Sequence, residues 1–288
     1  MKIITKKMPN DFNIFLFGDT HTGSVMHHKK GWDHLVKTMT NSYAGLPSSR
    51  NYGVDHGDVI EGITIDDSRY DSKTTEGNVL KQIDDAIDIR KPIKGQIICI
   101  LDGNHPRKLW RLSGIKGKCI TEIICDRLGV EFGTWTSKIV YKNNKGGLIF
   151  KHFCTHGSKS INSTADDPKR RATNMELILK RHLKFKMSDC ALMTKGHVHK
   201  LICCEPSQDL YIYDDNFELK QGYTSSLYTD NYIHPDHRWY VATGSFYKLY
   251  GTEISSYAEI AEYDPLELGF WIVKVRDKLI QNIDKIVL

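Results

Sequence analysis

Apolar runs that stop at a glycine recur along the first third of the chain. Ile14-Phe15-Leu16-Phe17 ends at Gly18, Tyr52-Gly53-Val54 leads toward Gly57, and Ile97-Ile98-Cys99-Ile100-Leu101 ends at Asp102-Gly103. A run that is apolar at successive positions suits a strand covered on both faces, so strands are predicted over residues 13–17, 52–54 and 96–101. Between them the apolar positions change to helical spacing. Trp32, Leu35, Val36 and Met39 predict a helix over residues 29–43, and Val79, Ile83, Ala86, Ile87 and Arg90 predict another that Pro92 closes. Strand, loop and helix thus repeat, which predicts a βαβ core with functional groups gathered beyond the carboxyl ends of its strands.

Further along, residues 119–128 carry a helical pattern, and residues 130–132, 138–141 and 148–154 read as strands. Asp167-Pro168 has the form of a helix N-cap followed by proline in the first turn. In the helix it opens, Met175, Ile178, Leu179 and Leu183 make an apolar face, while Arg170, Arg171, Lys180, Arg181 and Lys184 lie elsewhere. Strands are predicted over 190–193, 201–204, 210–213, 239–243 and 270–275. No internal repeat or low-complexity linker divides the chain. The expectation is an α/β fold in one domain over residues 1–288, with 200–288 completing the second sheet and forming a C-terminal extension.

Composition narrows this picture in two places. Of the 288 residues, 40% are hydrophobic and 26% charged, an ordinary soluble composition with no run of membrane-spanning length and a polar, lysine-bearing start, so membrane insertion and export are not expected. Seven cysteines, with no Cys-x-x-Cys pair, read as buried thiols of a reducing cytoplasm. The net charge of +5 sits in one place, because residues 158–186 hold eight Lys or Arg against three Asp or Glu and the remainder balances at 32 against 32. Such a segment is either a nucleic-acid footprint, through Lys169, Arg170, Arg171, Lys180 and Arg181, or a solvated helix face.

The strand ends carry the candidate chemistry. Asp19 and His21 follow the first strand, Asp58 and Glu61 the second, Asn104 and His105 the third, His156 the strand over 148–154, and His197 and His199 the strand over 190–193. An aspartate beside a glycine is by itself an ordinary turn residue. Seven nitrogen and oxygen donors, all at strand ends, are not ordinary: Asp19, His21, Asp58, Asn104, His156, His197 and His199 suit two divalent ions, manganese first, with iron, zinc or nickel compatible and calcium poorly so. His197 and His199 lie on opposite sides of an extended loop, so two neighbouring ions can each take one. A carboxylate-bridged pair of ions makes hydroxide available near neutral pH and clamps phosphoryl oxygens. His105 is then the expected proton donor to the leaving oxygen, with Glu61 holding its imidazole protonated.

In this order the motifs Asp19-Thr20-His21, Gly57-Asp58 with Glu61, Gly103-Asn104-His105, His156 and Gly196-His197-Val198-His199 resemble the calcineurin-like metallophosphoesterases over roughly residues 13–200. The tail segments Thr243-Gly244-Ser245-Phe246 and Ser256-Tyr257-Ala258-Glu259 are similar to phage-encoded members. The resemblance implies a four-layer α/β/β/α sandwich, one metal on Asp19, His21, Asp58 and His199, another on Asp58, Asn104, His156 and His197, and His105 as catalytic histidine with Glu61 as its partner. One position departs: the family carries an acidic residue after Gly-Asn-His, and here Pro106 stands there, followed by Arg107. Arg107 either faces the substrate phosphate or is a surface arginine. The expected activity is hydrolysis of a nucleic-acid phosphodiester. Small-molecule phosphoesters such as cyclic nucleotides, and a non-catalytic scaffold, are the alternatives.

Overall fold

The chain opens with β1 (Lys2–Lys7) and β2 (Phe12–Phe17), followed by α1 (Lys29–Thr40), β3 (Asn51–Asp55), α2 (Val79–Arg90) and β4 (Ile97–Ile100). Helices α3 (Asn104–Lys108) and α4 (Ile120–Leu128) lead to β5 (Thr136–Lys142) and β6 (Leu148–Thr155). Then come α5 (Pro168–Leu183), β7 (Leu192–Lys195), β8 (Leu201–Cys204) and the strands β9 (Leu210–Asp215) and β10 (Glu218–Tyr223). The elements β11 (Trp239–Thr243), α6 (Tyr257–Ile260), β12 (Gly269–Arg276) and β13 (Leu279–Val287) follow. This computed structural model describes residues 1–109, 117–225, 228 and 230–288.

The fold is mixed α/β. One sheet runs β13-β12-β2-β3-β4, with β2, β3 and β4 parallel; a second runs β1-β5-β6-β7-β11-β8; β9 and β10 form a separate hairpin. Strand β2 shows why its sequence is apolar throughout, since alternate side chains point to opposite faces. Phe12, Ile14 and Leu16 pack in one cluster with Tyr141, Phe150, Leu192 and Val241 of the six-stranded sheet. Phe15 and Phe17 turn the other way, onto Trp32, Leu35 and Met39 of α1, Ile83 and Ile87 of α2, and Ile124 of α4. On the six-stranded sheet, Phe153, Met193 and Tyr240 pack with Leu179 and Leu183 of α5. The helix ends follow their sequence signals: Asn78 accepts from Leu80 N and Lys81 N, Asp167 accepts from Arg170 N, and Gly129 ends α4 in the left-handed region at φ 71°.

Several expectations change. Residues 130–132 form no strand; Phe132 makes only an isolated bridge to Ile100. Three strands lacked a readable pattern: β1, a lysine-rich edge; β10, exposed along its length; and β13, where charged and apolar residues mix. The tail does not complete the second sheet alone. Strands β8 and β11 extend the six-stranded sheet, whereas β12 and β13 join the other beside β2. All seven cysteines are free thiols, five of them buried. Among the described residues no helix is long and apolar enough to cross a membrane.

Candidate metal centre

The loops that follow β2, β3, β4, β6 and β7 meet in one place. Three sets of side chains there bring potential ligand atoms within 4.8 Å of one another: Asp19, His21 and His199; His21, Asp58 and His105; and Asp58, His156 and His197. Asn104 joins the last set, its Oδ1 lying 2.9 Å from His156 Nε2 and 2.8 Å from His197 Nδ1. Asp58 Oδ2 is 3.3 Å from His156 Nε2 and 3.9 Å from His21 Nε2, so this one carboxylate faces both sets. The structure therefore brings together all seven residues chosen as ligands. Five of them, His21, Asp58, Asn104, His197 and His199, line a cleft of about 640 Å³ whose rim includes Ser160, Lys200, Leu249, Glu262, Tyr263 and Asp264.

The backbone is bent to make this possible. Asp19 (φ 51°), His21 (47°), Asp58 (47°), His197 (69°) and His199 (51°) all occupy the left-handed region, which non-glycine residues enter at a cost of about 1–2 kcal/mol each. Five of the seven ligand positions accept that strain, and its concentration here is what a functional site looks like. Two glycines make the interlocking possible. A Cβ on Gly103 would sit 2.1 Å from Asp58 Oδ1, and one on Gly57, itself at φ 95°, would sit 2.4 Å from the Asp102 carbonyl oxygen.

Behind the loops lies a buried ion pair. Arg90 Nε donates to Asp55 Oδ2 at 2.9 Å and its Nη2 to Thr20 Oγ1 at 2.9 Å, while Asp55 Oδ1 accepts from Gly57 N at 3.1 Å. Both charged side chains are wholly buried. One guanidinium thus ties the loop of Asp19 and His21 to the loop of Asp58. From the tail, Ser245 Oγ and Phe246 N both donate to the Asp19 carbonyl, at 3.1 and 3.2 Å, and the Tyr247 ring lies 4.6 Å from that of His21.

No protein-family model matches the chain, and no curated protein matches it either.

The donor set fits a cation on its own terms. Asp19 Oδ1 is buried without a hydrogen bond and faces His199 Nε2 at 3.4 Å. An unsatisfied buried acceptor costs about 1–3 kcal/mol, which a cation between Asp19, His21 and His199 would offset. His21 Nε2 and His199 Nε2 approach to 3.3 Å, aiming at the same point. Nitrogen and oxygen donors without thiolate suit manganese, iron, zinc or nickel.

Charge follows the same plan. Burial alone would raise the Asp58 carboxyl, but the imidazoles of His156, His105 and His21 outweigh it and hold Asp58 well below the usual carboxylate range. Burial works against the His156 imidazolium too, yet Asp58 and Asp19 beside it push that group up to about 9. Burial lowers His21 and His197 to about 4, so both offer lone pairs at neutral pH. Burial raises the Glu61 carboxyl to about 7.

A deeper row of polar groups fixes the tautomers behind the site. His56 Nδ1 lies 3.2 Å from two carbonyl oxygens, those of Phe17 and Val54, so it carries the proton and His56 Nε2 accepts. Thr194 Oγ1, 2.6 Å away, must then donate to His56 and in turn accept from His152 Nε2 at 2.7 Å. That leaves His152 Nδ1 to accept from the Tyr141 hydroxyl at 3.2 Å. The row runs from the six-stranded sheet into the loop after β3. It ends on His56, whose carbonyl accepts from His156 Nδ1 at 2.7 Å and leaves His156 Nε2 directed at the ligand set.

Two sequence expectations are corrected. Glu61 does not hold the His105 ring with its carboxylate: Oε2 lies 2.9 Å from His21 Nδ1, and it is the Glu61 backbone carbonyl that accepts from His105 Nδ1. The extended loop turns the Glu61 side chain toward β2 and its carbonyl toward α3. Arg107 does not line the cleft; it donates to Asp102 Oδ2 at 3.0 Å and lies over Trp135 at 5.8 Å. Pro106 is accommodated in the first turn of α3, where a backbone N–H has no partner within the helix. Sequence reasoning missed Asp55, Ser245 and Tyr247 as site supports. It named Arg90 only as the last position of an apolar helix face, and a charge on such a face was the available signal.

Proposed function

We propose that this chain is a two-metal phosphoester hydrolase of the calcineurin-like metallophosphoesterase type, acting on nucleic acid. The observation that carries the reading is the Asp58 carboxylate, placed between two donor sets that are each complete without thiolate. Asp19, His21, Asp58 and His199 would hold one ion; Asp58, Asn104, His156 and His197 would hold the other. When bound, such a pair supplies a nucleophile at neutral pH and neutralises charge on the phosphoryl oxygens. Two facing sheets backed by helices are consistent with the four-layer sandwich of that family.

The protein's own groups then orient and exchange protons. His105, on the cleft floor, donates from Nδ1 to the Glu61 carbonyl, which leaves Nε2 facing the cleft; its imidazolium form, whose pKa burial lowers, would carry on Nε2 the proton given to the leaving oxygen. Its backbone N–H donates to Asp58 Oδ1 at 2.9 Å, so α3 also fixes the shared carboxylate. Glu61 orients His21 through Nδ1 and leaves Nε2 as the ligand atom. A second reading, hydrolysis of small phosphoesters, draws support from Glu262 and Asp264 on the rim, which repel a polyanion.

The test is a screen of manganese, iron, zinc and nickel against bis-p-nitrophenyl phosphate, p-nitrophenyl phosphate, cyclic nucleotides, and single- and double-stranded DNA. Diester and DNA hydrolysis is expected, slowed roughly 100- to 10,000-fold in His105→Ala. Turnover of the small substrates alone selects the second reading. Failure with every metal, together with no metal uptake by calorimetry, sinks the hydrolase.

A further inference from the structure

A second groove begins where the cleft ends. It encloses about 830 Å³, and Asn162 lines both it and the cleft. Lys200, on the cleft rim, fixes that junction by donating to Asn162 Oδ1 at 2.8 Å and to the Ile161 carbonyl at 2.7 Å. The groove runs along the C-terminal half of α5 and the turn that follows it, where Arg181, Lys184 and Phe185 line it. Phe185 is 85% exposed, and Lys184 Nζ sits 4.9 Å from the centre of its ring.

This placement re-sorts the basic segment. Lys180 is neutralised by Asp236 on the opposite wall, and Arg171 donates to the carbonyls of Ala165 and Asp166 in its own loop. Of the cations that remain on the groove, Lys184 sits over the exposed Phe185 ring and Arg181 lines the same groove. An aromatic face flanked by positive charge, in a channel rather than on a ridge, is the combination that holds one unpaired strand: phosphates meet the cations and a base stacks on the ring. A duplex hides its base faces and has no use for Phe185.

We propose that this groove carries a single strand of nucleic acid into the cleft, with Phe185 as the stacking platform and Arg181 and Lys184 as phosphate contacts. The proposal rests on the phosphodiesterase reading of the cleft. Its test is fluorescence anisotropy with labelled oligothymidine and a blunt duplex, on wild type, Phe185→Ala and the double variant Arg181→Ala/Lys184→Ala, across a salt series. The single strand is expected to bind more tightly than the duplex. Phe185→Ala should lose roughly tenfold affinity for it. The double variant should lower the slope of log affinity against log salt by about 1.4, at about 0.7 per phosphate contact. Tighter duplex binding, or variants that bind the single strand like wild type, would overturn the groove. Separately, wild-type hydrolysis of bis-p-nitrophenyl phosphate reads the cleft by itself. If that hydrolysis is present while the variants bind normally, the groove fails and the cleft reading stands; if it is absent with every metal, both fall. Circular dichroism confirms the fold of each variant.

Discussion

The cleft and the groove meet at Asn162 and are built in opposite ways. The candidate ligands of the cleft are buried or half-buried, strained and cross-tied: five of these positions are left-handed, Asp58 meets groups from three other loops, and Arg90 ties two loops from behind. The groove instead presents exposed apolar side chains, Leu177 on α5 and Phe185 just past its end, 59% and 85% exposed. Chemistry that must hold ions to fractions of an ångström needs the first construction. Recognition of a flexible strand is served by the second.

The contrast can be broken most forcefully at Arg90. Arg90→Met leaves Asp55 buried and unpaired, and chemical denaturation should show a loss of about 3–5 kcal/mol. A loss below 1 kcal/mol would mean that the two loops do not depend on the tie. Next comes acid. Burial holds His56 at about 4 against an ordinary 6.5, so the unfolded chain takes up a proton that the folded chain refuses. Stability should be full above pH 6.5, fall as pH drops toward 4, and level off below it. At 1.36 kcal/mol per pH unit the decline from His56 alone is about 3 kcal/mol, and buried His152 adds to it. A denaturation series that is flat between pH 6.5 and 4 would contradict the buried row.

Smaller effects sharpen the same line. Glu61→Gln keeps the shape but weakens the grip on His21 Nδ1, so metal affinity by calorimetry should fall roughly 10- to 100-fold. If Glu61 served His105 instead, activity would change with metal affinity intact. Smallest of all, Leu177→Ser and Phe185→Ser on the groove should shift stability by no more than about 0.5 kcal/mol in the same denaturation assay. Larger losses would show that the groove face is packed after all.

Legibility divides along these lines too. The apolar runs before Gly18 and Gly57, the helical spacing of Trp32, Leu35 and Met39, and the cap at Asp167 announced their elements because each is a local rule. The side chains that the fold gathers were legible because they lie on motifs at strand ends. Strand β1 was not, since an edge strand with lysines need not look apolar. Nor was the partner of Glu61, because sequence does not tell whether a side chain or its backbone oxygen reaches a neighbour. The groove depends on an opposite wall from His234 to Asp236, distant in sequence from α5 and from the 162–164 segment just before it, so only the fold could assemble it.

Strand β2 occupies an interior place in its sheet, yet its neighbour β12 is among the last elements of the chain, and the Asp19 carbonyl is held by Ser245, 226 positions later. Closing so long a loop carries a large entropic toll and slows the search for the native arrangement. While the ribosome is still making the chain, the Asp19 carbonyl therefore lacks this partner until Ser245 has emerged. A chain cut short near residue 240 would keep every ligand in its sequence and still lack the latch.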